Sequence, residues 1–94
     1  MNAVTIRIPI PLRAFTGGAD EIAVTAGTVG DALTAMGCLH GGLLQRILTP
    51  RGELRPFVNV FVGDTNIREL AGLDTPLQTG DVLAIIPAVA GGLR

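Results

Sequence analysis

The chain contains no lysine, tryptophan or tyrosine; its seven basic residues are all arginine, and three phenylalanines are its only aromatics. Without lysine it has no ε-amino group to act as an internal acceptor for isopeptide bonds. A net charge of −1 and a pI near 5.6 leave no basic stripe. With so few aromatics for base stacking, the composition argues against a nucleic-acid partner. A single cysteine, Cys38, excludes an intramolecular disulfide and a four-thiolate iron–sulfur centre, and it fits a reducing compartment. The longest apolar stretch, residues 82–93, is broken by Pro87 and by glycines. It falls short of the ~18 residues a membrane helix needs. The first residues alternate instead of forming a basic start and an apolar run, so no secretory signal is read. The expectation is a cytoplasmic protein with no membrane partner.

The 94 residues are 48% hydrophobic and 16% charged, a balance that can offset the entropy of ordering one small domain. Val4, Ile6, Ile8 and Ile10 fall at every second position and predict a first strand with one buried face. Gly17 and Gly18 turn the chain into a returning strand over residues 22–25. Thr28 is placed as the N-cap of a helix, with Asp31 in the first turn and Val29, Leu33 and Met36 on its apolar side; Gly37 is expected to stop it. Leu43, Leu44, Ile47 and Leu48 suggest a second short helix. Residues 57–62 carry apolar side chains on both faces apart from Asn59, as a central strand does. Residues 67–70 are expected to form a short edge strand and residues 73–77 a single helical turn. Gly80 and Asp81 turn the chain into a last strand over residues 82–86, ended by Pro87.

Strand, strand, helix, strand, short strand, strand is an α+β order, and the helix between the second and third strands demands a crossover. Placing the first and last strands side by side at the sheet centre gives a β-grasp: a mixed sheet of four to five strands with one main helix. The expected organisation is a domain over residues 1–87 and a C-terminal tail over residues 88–94.

Few residues here suggest catalysis. Cys38 and His40 are too few for a structural zinc site, and the expected reading is a buried or half-buried thiol beside a surface histidine. Asp31, Asp64, Asp74 and Asp81 fall at presumed caps and turns, where a carboxylate bonds to nearby amides. Arg46, Arg51 and Arg55 read as a solvated cluster, with steering of an acidic partner as the lesser alternative. No metal site and no bound cofactor are expected. If Val4, Ile6 and Ile8 point inward, Thr5 and Arg7 point out; Asn59 then places Phe61 on the same outer face, with Ile86 as a third candidate. Arg7, Phe61 and Ile86 are therefore the expected partner surface.

The tail carries the chemistry. Val89 and Ala90 lead into Gly91-Gly92, and two successive glycines let a backbone lie in a slot too narrow for side chains. A frayed end would more often hold serine, lysine or glutamate. The stretch from Thr79 through Gly80, Asp81, Pro87 and the Ala88-Val89-Ala90 stalk to Gly91-Gly92 resembles the carboxyl end of the ThiS/MoaD family of ubiquitin-like sulfur carriers. Ile8-Pro9-Ile10-Pro11-Leu12-Arg13, Thr16-Gly17-Gly18 and residues 57–62 are similar to its cysteine-biosynthetic, CysO-type branch. The resemblance implies a β-grasp fold and a carrier that is not itself an enzyme. An E1-like partner would use ATP to adenylate the Gly92 carboxylate, a sulfur donor would convert it to a thiocarboxylate, and a synthase would accept the sulfur. Val89, Ala90 and Gly91 would be the residues gripped. Unlike the simplest members, this chain continues to Leu93 and Arg94, so a JAMM-type zinc metalloprotease is expected to cut between Gly92 and Leu93. Two other readings stay open: a protein modifier joined through Gly92, and the small subunit of a molybdopterin synthase-like complex.

Overall fold

Alternation at the start of the chain builds the strand on which the rest is assembled. The computed structural model describes residues 2–87, and its first element is β1 (Asn2–Arg7), with Val4 and Ile6 buried and Ala3 and Arg7 exposed. β2 (Glu21–Ala26) returns antiparallel to it in unbroken register, from Asn2 opposite Ala26 to Arg7 opposite Glu21. The alternation does not continue as strand to Ile10. Pro9 and Pro11 cannot donate to a ladder, and a 3-10 helix spans Ile10–Thr16 instead. Ile10 is consequently 75% exposed, whereas Ile8 stays in the core.

Helix α1 (Val29–Leu39) begins where expected, with Thr28 Oγ1 accepting the Asp31 N–H at 3.2 Å. Val29, Ala32, Leu33 and Met36 form its buried side. Gly37 does not end it; the helix continues to Leu39. A Cβ at position 37 would lie 2.8 Å from Leu44 Cβ, so this glycine serves close packing of the 3-10 turn Leu44–Arg46 against the helix. Leu43 and Ile47, flanking that turn, are fully buried.

β3 (Val58–Val62), β4 (Thr65–Asn66) and β5 (Val82–Pro87) complete a five-stranded sheet of order β2-β1-β5-β3-β4. β1 and β5 are the parallel pair, side by side at the centre, and the other pairings are antiparallel. The architecture is the expected β-grasp, with α1 across one face. Residues 67–70 are not an edge strand. Asn66 Oδ1 accepts the Arg68 N–H at 2.9 Å and caps a 3-10 turn over Ile67–Glu69, which drives Ile67 into the core. The helical turn foreseen over residues 73–77 is a 3-10 turn over Gly72–Asp74, and Pro76 bridges to Thr28 beyond it. No helix among the described residues is long and apolar enough to cross a membrane.

Candidate functional site

The candidate site is the end of β5 at Pro87 and the sheet face beside it. In β5, Leu83 and Ile85 point into the core and are buried, so Val82, Ala84 and Ile86 point to the opposite, outer face. Register then assembles that face across four strands. Arg7 of β1 lies beside Ala84 of β5, Ala84 beside Phe61 of β3, and Phe61 beside Asn66 of β4. Asn59 lies beside Ile86, and Thr5 beside Val82. The strip Val82, Ala84, Ile86 and Phe61 is apolar, and no element among the described residues covers it. Ile86 is 48% exposed, Val82 is 40% exposed, and Phe61 is half-buried among its neighbours. Arg7 bounds the strip on the β1 side and is exposed. The three residues expected on a partner surface thus share one face, and the exposed Phe57, at 62%, stands just ahead of β3.

Sequence reasoning missed the device that holds this face at the tail root. Arg68 Nη2 donates to the carbonyls of Arg55 at 2.9 Å and Val58 at 2.7 Å, and its Nε donates to Asn59 Oδ1 at 3.3 Å. The same Asn59 oxygen accepts Asn66 Nδ2 at 3.2 Å. Val58 is the residue paired with Pro87, the last of β5, so the guanidinium fastens the strand that flanks the exit of the tail. The only local signal is Asn66 two residues before Arg68, an Asx turn that aims the arginine back along β3; its three acceptors lie nine to thirteen residues away.

Other candidates resolve differently. Cys38 is exposed on the last turn of α1 and His40 half-buried at its cap, the reverse of the expected burial, because the side of α1 bearing Val29, Leu33 and Met36 turns position 38 outward. Among the described residues no group of three His, Cys, Asp or Glu side chains could hold a metal ion. Asp81 does serve its turn, Oδ2 accepting the Gln78 N–H at 2.8 Å, and Asp31 sits at the capped amide end of α1. The arginine cluster is only partly a free surface: Arg46 lies over the Phe15 ring at 5.1 Å, and Arg55 Nε donates to the Gln45 carbonyl at 2.8 Å. A groove of about 480 Å³ on the helix side, floored by Leu44, Leu48 and Pro50, is lined by no His, Cys, Asp or Glu.

Val89, Ala90, Gly91, Gly92 and Leu93 lie outside the described residues. Residues 6–92 match the ThiS family. This chain belongs to the ThiS family. It is 37% identical over 91 residues to the sulfur carrier protein CysO of Mycobacterium tuberculosis, with 95% of this chain and 98% of that protein covered. The crystal structure of that protein superposes with a TM-score of 0.86, covering 92% of this chain and 99% of the other. A chain of the Amycolatopsis orientalis BexX/CysO complex gives a TM-score of 0.89 at 38% identity, covering 96% of this chain and all of that one. Small archaeal modifier protein 3 of Haloferax volcanii is 38% identical over 65 residues, covering 69% of this chain and 70% of the modifier.

Proposed function

We propose that this protein is a sulfur carrier, not an enzyme, whose Gly92 carboxylate becomes a thiocarboxylate and donates its sulfur in the biosynthesis of cysteine or another sulfur-containing metabolite. The observation that carries the reading is the ThiS family match, which runs through the central strand β5 and ends on Gly92. The likeness to CysO over 95% of the chain supports the cysteine branch.

A carboxylate is a poor electrophile, so sulfur enters only after activation. An E1-like partner in the cytoplasm joins the Gly92 carboxylate to the α-phosphate of ATP, releasing pyrophosphate. Attack by a sulfur donor at the acyl carbon then expels AMP and leaves the carbon–sulfur bond. The carrier supplies recognition: Arg7, Phe61 and Ile86 dock on the partner, and Val89, Ala90 and Gly91 are gripped as bare or nearly bare backbone. A sulfur-accepting synthase receives the loaded carrier.

Leu93 and Arg94 must leave first. While they remain, Gly92 has no free carboxylate, and the chain continues roughly 7 Å beyond the reacting carbon when extended. A JAMM-type zinc metalloprotease is the proposed agent of that cut. Mass spectrometry after incubation with activating enzyme, ATP and sulfide tests both steps. The chain ending at Gly92 should gain the mass of one oxygen-to-sulfur exchange and the chain carrying Leu93 and Arg94 should not; no gain on the trimmed chain would overturn the reading. Gly92→Ala in the trimmed chain should fold normally and lose ATP–pyrophosphate exchange.

The likeness to a small archaeal modifier favours a second reading, attachment of Gly92 to lysines of other proteins. Adducts that survive boiling in detergent would establish it.

A further inference from the structure

The two edges of the sheet are built differently. β4 is two residues long and offers little backbone to another strand. β2 is a regular six-residue edge with no bulge, proline, lysine or arginine, its only charge being Glu21 at one end. These are the usual guards of an exposed edge, and β2 has none of them along its length.

Hydrogen-bond phase fixes which groups are free. Ile8 N–H donates to the Asp20 carbonyl at 2.8 Å on the same register as Ile6 opposite Ile22 and Val4 opposite Val24. Bonded pairs alternate along an antiparallel ladder, so Ile22, Val24 and Ala26 spend their amides and carbonyls on β1. Glu21, Ala23 and Thr25 direct theirs away from β1, towards a side where the sheet has no further strand among the described residues. The side chains of these three residues are all exposed.

We propose that this edge pairs antiparallel with the same edge of a second copy of the chain, about a two-fold axis at Ala23. In that register Ala23 opposes Ala23, Glu21 opposes Thr25 and Thr25 opposes Glu21. Each is a pair that exchanges two backbone bonds, so every free amide and carbonyl of the three residues is used. The central side chains are small, and no like charges meet. Sliding the register towards the start of the strand sets Glu21 against Glu21, which is disfavoured, and leaves bonds unmade. Other chains could satisfy the backbone, but the self-complementary spacing of Glu21, Ala23 and Thr25 favours a second copy. One strand edge buries less than the roughly 1,000 Å² of a stable interface, so the dimer is weak and reversible. It joins two sheets into one and leaves the strip around Phe61 and Ile86 open, since β1 stands between β2 and that strip.

Amide hydrogen exchange at rising protein concentration, alongside sedimentation, tests this. The amides of Glu21, Ala23 and Thr25 should become protected as a dimer forms, while those of Ile22, Val24 and Ala26, already bonded to β1, should not change. Ala23→Pro removes only an amide that faces the free edge, which an edge strand tolerates, and should abolish both the dimer and the added protection. Ala23→Lys sets two cations face to face at an exposed position and should weaken association about tenfold or more with the fold intact. A protein that sediments as a monomer at every concentration with unchanged exchange at these amides would overturn the proposal. So would an Ala23→Lys variant that dimerises as well as its parent.

Discussion

The two faces of the central strands are made from alternate residues of the same few segments, yet they differ in what a substitution would cost. On the inner face Ile6, Val60, Leu83 and Ile85 are shut in the core they share with α1, with almost no exposure. On the outer face their immediate neighbours, Thr5 and Arg7, Phe61, and Val82, Ala84 and Ile86, stay open in varying degree. A period of two thus separates side chains that hold the fold from side chains left open on the outer face. The outer face is more apolar than folding requires. The fold gains little from leaving Ile86 and Val82 against water, so an uncovered apolar strip is better explained by a surface it meets.

That separation can be broken most directly from the inside. Leu83→Ala removes a fully buried side chain at the sheet centre and should lower stability by about 3 kcal/mol, read as a shifted denaturant midpoint. A loss below about 1 kcal/mol would mean the inner face repacks freely. Next is Gly37→Ala, where the new methyl meets Leu44 Cβ at 2.8 Å. The gain in helix propensity is outweighed by overpacking, for a net loss of about 1 to 2 kcal/mol. Thr28→Ala removes the cap from the helix that covers the inner face and should cost about 1 kcal/mol by thermal unfolding. Smallest in stability is Phe61→Asp, expected to cost about 1 kcal/mol or less while markedly weakening activation by the partner enzyme in ATP–pyrophosphate exchange. If this variant unfolds like Leu83→Ala, Phe61 belongs to the core and the contrast between faces fails.

Much of this arrangement was legible in the sequence, for a local reason. Alternation in β1, the Thr28 cap and the turn at Gly80 and Asp81 depend on neighbours within a few positions, and each is found as read. The adjacency of β1 and β5 followed because both strands are apolar enough to sit at the centre. What was not legible is decided by distant contacts. Gly37 looks like a helix stop until Leu44 is seen against it. Ile10 continues an apolar alternation, but the prolines on either side turn the chain before it can pair. Ile67 reads as strand by its β-branched side chain, but the Asx turn at Asn66 starts a 3-10 turn there instead. The Arg68 clasp draws on acceptors at Arg55, Val58 and Asn59, nine to thirteen residues back, which the β3–β4 turn brings within its reach. For the candidate site, the three outer-face residues were legible from alternation alone, whereas the fastening of the tail root was not.

The parallel pairing of β1 with β5 has a mechanical consequence. The N-terminal end of β1 and the C-terminal end of β5 lie at opposite ends of neighbouring strands that run the same way. Tension between the start of the chain and the segment beyond Pro87 therefore pulls along the strands and across their hydrogen bonds. The bonds share the load and must give together; they cannot be peeled apart one at a time. β3, antiparallel on the other flank of β5 and fastened by Arg68, braces the same strand. A domain drawn by its carboxyl end resists shear where a hairpin at that position would unzip.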